Sequence, residues 1–155
     1  MRIIIEPYNT NWPDLFAAEK ERLTNALGQV VITIEHIGST AVPGLDAKPI
    51  IDILVGVASE EVLDKAITPM IEAGYTYGKK YEPSWPTRRF FMQLQAVKDP
   101  LPSIIDINDN YIIGEDFIST VHIHVLVKDT YDWIRHMAFR DFLRENTAVR
   151  NEYSQ

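Results

Sequence analysis

The chain has no cysteine among its 155 residues. Disulfide scaffolds and thiolate-held metal centres are thereby excluded, while the redox compartment is left open. Long hydrophobic runs are missing as well. The opening MRIIIEPYN offers three consecutive isoleucines before Glu6, too few for a signal peptide or a membrane span. Basic charge is scarce: 15 Lys and Arg stand against 22 Asp and Glu, a formal net charge of −7. That balance argues against a general nucleic-acid binder. No internal repeat, linker or low-complexity segment interrupts the chain. What is present is a hydrophobic share of 46%, which suits a single domain over residues 1–155 with a real core. The expectation is a soluble, cytoplasmic protein with no membrane partner.

Hydrophobic periodicity orders that domain. Arg2 to Glu6 reads as a short edge strand ended by Pro7. Asn11 can cap a helix that tolerates Pro13 in its first turn and stops at Gly28. Trp12, Leu15, Phe16, Leu23 and Ala26 share its apolar stripe, with Glu19 near the middle. Glu19 is expected either to snorkel past the stripe's edge, or to point toward a polar site beside Asp52 or pair with a buried Arg. Val30–Ile37 and Ile50–Val57 read as interior strands, apolar on both faces. Ser59 opens a helix towards Ala73 that Pro69 should kink. Arg88–Gln95 and Thr120–Val127 are strands, and Ala96–Ser119 a long excursion with Ile104–Ile107 as a short strand. Thr130 opens a helix to about Glu145, with Tyr131, Ile134, Ala138 and Phe142 on its expected core stripe, widened by Phe139 and Leu143. Asn146 can cap a last short helix.

The stretch IEHIGSTAVPGLDAKPIIDILVGV, from Ile34 to Val57, is the least ordinary part. A strand breaks at Gly38-Ser39, passes through a Pro/Gly loop and resumes as an almost wholly apolar strand carrying one charge, Asp52. A buried carboxylate pairs, binds metal or takes up a proton. Gly-Ser at a strand end lets backbone N–H groups and a hydroxyl approach phosphate oxygens. Mg²⁺ favours one or two carboxylates together with phosphate oxygens, so Asp52 could hold it at the same end of the sheet. The simpler alternative is a turn glycine and an Asp bonded to local backbone. Lys48, in the connecting loop, could add charge for phosphate, as could one of Arg88 and Arg89, which alternate to opposite faces. His122 and His124 share a face about 7 Å apart, so with Asp52 they form a candidate Fe(II) or Zn²⁺ set. His36 is a lesser third imidazole.

The central stretch EHIGSTAVPGLDAKPIIDILVGV looks like the signature of the GrpB family. WPDLFAAEKERL, RRFF, HIHV and FRDFLR match in the family's order, so the resemblance covers most of the chain. The family is placed in the nucleotidyltransferase superfamily. The resemblance therefore implies an α/β (α+β) domain: a nucleotidyltransferase-like mixed β-sheet with flanking helices and a helical C-terminus. It implies that Gly38, Ser39 and Thr40 bind the phosphates of a nucleoside triphosphate and that Asp52 holds Mg²⁺ and serves catalysis. The acceptor is unknown. The superfamily's second strand carboxylate is missing, since Ile50 and Leu54 flank Asp52 at the two-residue spacing. Glu19, Glu35 and Asp106 are the substitutes on offer. A nucleotide- or phosphate-sensing module without catalysis is the rival expectation, and a metal-dependent enzyme on Asp52, His122 and His124 is another.

Overall fold

The computed structural model describes residues 4–97, 100–111 and 114–146. Arg2 and Ile3 of the expected first strand, and the short helix expected after Asn146, lie outside the described residues. What the described part of that strand forms is one antiparallel bridge, Glu6 to Ala47. Both residues' N–H groups are satisfied across it, at 2.8 and 2.9 Å.

The first helix, α1, runs Trp12–Leu27 and stops at Gly28, whose φ of 55° only glycine adopts easily. Asn11 does not cap it with its side chain; instead the Asn9 carboxamide accepts the Asn11 N–H at 2.8 Å. Trp12, Leu23 and Leu27 are its buried positions, whereas Leu15 is exposed. Strands β1 (Thr33–Ile37) and β2 (Ile51–Val57) follow. The helix expected from Ser59 to Ala73 is broken into α2 (Glu60–Leu63), a 3₁₀ turn (Asp64–Ala66) and α3 (Ile67–Glu72). Pro69 explains the break. It cannot donate to the Lys65 carbonyl, and its ring crowds that carbonyl. Then come β3 (Thr76–Tyr77), β4 (Arg88–Ala96), β5 (Phe117–Val127) and α4 (Tyr131–Glu145). Strand β5 starts three residues before the expected Thr120. Ile104 contributes a single parallel bridge to Tyr77 rather than a strand.

The five strands form one mixed sheet in the order β1-β2-β5-β4-β3. β2 and β5 are parallel, and the other neighbours are antiparallel. One face carries Ile53, Val55, Ile123 and Val125, packed under α1 and α3 through Leu23, Leu27 and Met70 as the main core. The register places Asp52 beside His122, Leu54 beside His124 and Phe90 beside His124 on the other face. This second face is only partly apolar, and α4 crosses it. Trp133 and Met137 sit there with Ile37, Leu54 and Leu126. Gly56 makes the fit possible: a Cβ there would come 3.0 Å from the Trp133 ring.

Of the expected core stripe of α4 only Leu143 is buried, and most of the rest is on the outside. Tyr131, Ile134 and Phe142 are exposed, and the buried positions are Trp133 and Leu143. The sheet face explains the inversion. A face bearing Asp52, His124 and Arg88 is met better by the helix side carrying His136, Arg140 and Arg144 than by a wholly apolar one.

Candidate functional site

Strands β1 and β2 are antiparallel, with Ile37 opposite Asp52. The connecting loop therefore returns Ser39 and Lys48 to the sheet end where Asp52 stands. There Ser39, Thr40, Asp46, Lys48, Asp52 and His122 line a cleft of about 350 Å³. Gly38, packed against Asp52, has φ of 74°. A Cβ on Gly38 would fall 2.5 Å from Asp52 Oδ2. Glycine is thus required twice over, by the backbone conformation and by the carboxylate packed against it. Ser39 begins a 3₁₀ turn to Ala41. Thr40 is buried, and its hydroxyl is engaged: it donates to the Ile50 carbonyl at 3.3 Å and lies 2.9 Å from His36 Nε2.

The Asp52 side chain is 32% exposed, with His122 Nδ1 at 3.6 Å from Oδ1. The ion pairs of the described residues give Asp52 no Arg or Lys. Asp46 adds a second carboxylate to the cleft, and its Oδ1 accepts the Tyr8 N–H at 3.3 Å. Among the described residues no three His, Asp or Glu side chains come together as a metal-holding group. The donor set is therefore too small for a resident ion held by protein alone. It suits one Mg²⁺ that arrives with most of its ligands on phosphate and water.

His124 is turned away from Asp52. Arg88 donates to its Nδ1 at 3.2 Å and to His136 Nε2 at 3.4 Å, so both imidazoles accept there. Burial pushes His124 down to about 3, and the positive charge of Arg88 adds to the shift. Burial, followed by Arg88, lowers His136 as well. Arg88 is itself buried, 3.8 Å from Asp132, with its guanidinium over the Trp85 ring. The cluster is a neutral-imidazole cradle for one cation beneath α4.

The comparisons with known proteins agree with this architecture. Residues 2–155 match the GrpB protein family. The chain belongs to the GrpB family. It is 33% identical over 153 residues to the UPF0157 protein BH1888 of Halalkalibacterium halodurans, covering 99% of this chain and 66% of that one. It is 33% identical over 147 residues to the UPF0157 protein YqkA of Bacillus subtilis, covering 95% of this chain and 36% of that one. The chain thus spans two-thirds or less of these relatives' length. The crystal structure of conserved protein GrpB from Enterococcus faecalis superposes with a TM-score of 0.74 at 34% identity, over 97% of this chain and 78% of that one. The mixed sheet, flanking helices and C-terminal helix are thus the GrpB architecture.

The remaining residues singled out in the sequence lie elsewhere on this GrpB fold. Arg89 is on the opposite face from Arg88, bonded to Asp64 at 2.8 Å and paired with Glu82 at 3.4 Å. Glu19 is not near Asp52. It accepts a short hydrogen bond from the buried Tyr75 hydroxyl and lies 3.8 Å from a part-exposed Arg22, a pairing on the α1 side that the sequence does not announce. Glu35 pairs with Arg140 at 3.4 Å, and Asp106 with Lys79 at 3.9 Å. His36 stacks on Phe16 with ring centres 4.7 Å apart. Asp46 is the cleft residue that the sequence reading passed over. Its signal was its place in the loop between Ser39 and Asp52, which must return to the same sheet end.

Proposed function

We propose that this cleft binds a nucleoside triphosphate together with Mg²⁺. The observation that carries the reading is Asp52, a carboxylate held in an open cleft beside the Gly38-Ser39 turn with no Arg or Lys ion pair among those of the described residues. Asp52 is the residue that would hold the ion, with Asp46 nearby in the same wall. The bound ion supplies positive charge to the phosphates. The backbone at Gly38 and the Ser39 hydroxyl offer phosphate donors. Lys48, exposed on the rim, adds the cationic charge, since Arg88 and Arg89 are held away from the cleft by their own partners.

A transfer reaction rests on His122 in addition. In nucleotidyl transfer an acceptor oxygen forms a bond to the α-phosphorus, the bond to the bridging oxygen breaks, and pyrophosphate leaves. The hydroxyl proton needs a base, and the His122 imidazole is the one nearest Asp52 in the cleft.

The test is a melting-temperature screen of the four ribonucleoside triphosphates with Mg²⁺, followed by incubation with α-labelled nucleotide. Binding at about 100 times the dissociation constant adds roughly 2.7 kcal/mol of stability. No shift with any nucleotide contradicts the reading. Binding without pyrophosphate release makes the cleft a nucleotide sensor.

A further inference from the structure

A second cavity lies beside the Gly38–Ala41 turn at the β1 edge of the sheet, lined from both α1 and α4. Its volume is about 260 Å³. The sequence places Arg140 and Arg144 four residues apart in FRDFLR, on one face of α4, and the fold aims both into this cavity together with Lys20 from α1. Two guanidiniums on consecutive turns repel each other unless something neutralises them. Arg140 is neutralised: it pairs with Glu35 at 3.4 Å and Asp141 at 3.0 Å and donates to the His36 carbonyl at 3.2 Å. Arg144 is not. Its Nε donates to the Ala41 carbonyl at 2.8 Å, and the two neighbouring carboxylates are already held by Arg140. Lys20 has no ion pair among those of the described residues. His36, on the cavity wall, is pushed down to about 4 by burial and then by Arg144 and Arg140, and so adds no compensating charge. Among the lining residues Lys20, Arg140 and Arg144 face one carboxylate, Glu35, in a chain whose net charge is −7. Tyr8 and Pro43 complete the wall with apolar surface.

We infer that this cavity binds a small organic anion, a phosphate or carboxylate carried on an apolar body. Arg144 and Lys20 hold the charged group, and the aromatic and proline wall holds the body. Thr40 lines both this cavity and the Asp52 cleft. Occupancy is therefore expected to register at the Ser39–Ala41 turn, which the cleft shares. The assignment stands on its own charges and does not require that the Asp52 cleft bind nucleotide.

The test is amide and arginine-Nε NMR of the full chain titrated with phenyl phosphate, benzoate and, as a control without an apolar body, inorganic phosphate. Shifts are expected at the Arg144 Nε–H and at the Thr40 and Ala41 amides. Preference for phenyl phosphate or for benzoate tells which anion class is bound. Lys20→Gln changes an exposed helix position and should weaken binding about tenfold, as loss of one charge-assisted contact does. Arg144→Gln should abolish the shifts, and Arg144→Lys should retain part of them. Asp52→Asn should leave this titration unchanged even where it removes a nucleotide response. No shift with any of the three probes, or equal affinity in wild type, Lys20→Gln and Arg144→Gln, overturns the assignment.

Discussion

Asp52 and Gly38 are tied together at the level of single atoms. The carboxylate occupies the space where any side chain at residue 38 would begin. The glycine expected to admit phosphate therefore also admits Asp52. In urea melts Gly38→Ala should lose about 1–3 kcal/mol, the range for a strained positive φ. Adding Asp52→Ala should recover part of that loss, because the two sites touch. A loss in Gly38→Ala below about 0.5 kcal/mol, ordinary for a surface change, contradicts the contact. The motif was legible in the sequence because Gly-Ser and a lone Asp among isoleucines are local signals. The turning of His124 away from Asp52 was not, because alternation fixes a face but not which neighbour on that face a ring meets. Titration follows from the same neighbours. His36 is held at about 4 and His124 at about 3, burial being the larger cause in both. Unfolded imidazole titrates near 6.5. Below about pH 6.5 the unfolded chain takes up protons that the native chain refuses, so stability falls as pH drops from there towards about 4. Above that window both forms are neutral and these residues contribute no slope. Urea melts at about pH 7.5 and about pH 5 should show the loss. His36→Asn should flatten it by up to about 1.4 kcal/mol per pH unit, and an unchanged slope contradicts the account.

At the scale of elements, the order of helices and strands could be read from periodicity and stop signals, as Gly28 and Gly74 illustrate: both have positive φ. The choice of face on α4 could not. Periodicity marks Tyr131, Ile134 and Phe142 as a stripe, but what the helix buries depends on the sheet beneath it, and that face carries Asp52, His124 and Arg88. Trp133 settles the docking by seating on Gly56. Gly56→Ala pushes a methyl against that ring. It should destabilise by about 1–3 kcal/mol, as overpacking does, with the loss of Trp133 near-ultraviolet dichroism as the check on its cause. Retained dichroism with unchanged stability argues that α4 is anchored elsewhere. On the other face, Glu19 links α1 to Tyr75 and Arg22. Arg22 in turn bonds Gln93 at 2.6 Å and the Ala73 carbonyl. Glu19→Gln should therefore cost about 0.5–1.5 kcal/mol, the net worth of a hydrogen bond. A neutral result in urea melts would show the network to be dispensable.

Across the whole molecule, sheet topology divides the structural work from the chemistry. The face under α1 and α3 is mainly apolar and forms the main core, with His36, Arg89 and Gln93 as polar positions on it. Asp52, His122, His124 and Arg88 share the face crossed by α4, and the cleft opens at the sheet end where the β1–β2 loop folds back. Strand order is what the sequence concealed: β5 enters between β2 and β4, which brings His122 beside Asp52 across about seventy residues of chain. Whether Asp52 waits for Mg²⁺ on a nucleotide or pairs with a resident cation is decided by urea melts of wild type and Asp52→Asn, each with and without Mg²⁺-nucleoside triphosphate. The prediction is that Asp52→Asn leaves the ligand-free protein unchanged or slightly stabilised, since it removes only a part-exposed 3.6 Å contact with His122, and that nucleotide stabilisation disappears. A loss of about 3–5 kcal/mol in the ligand-free variant, the cost of breaking a buried ion pair, with the nucleotide response intact would make Asp52 structural and contradict the account.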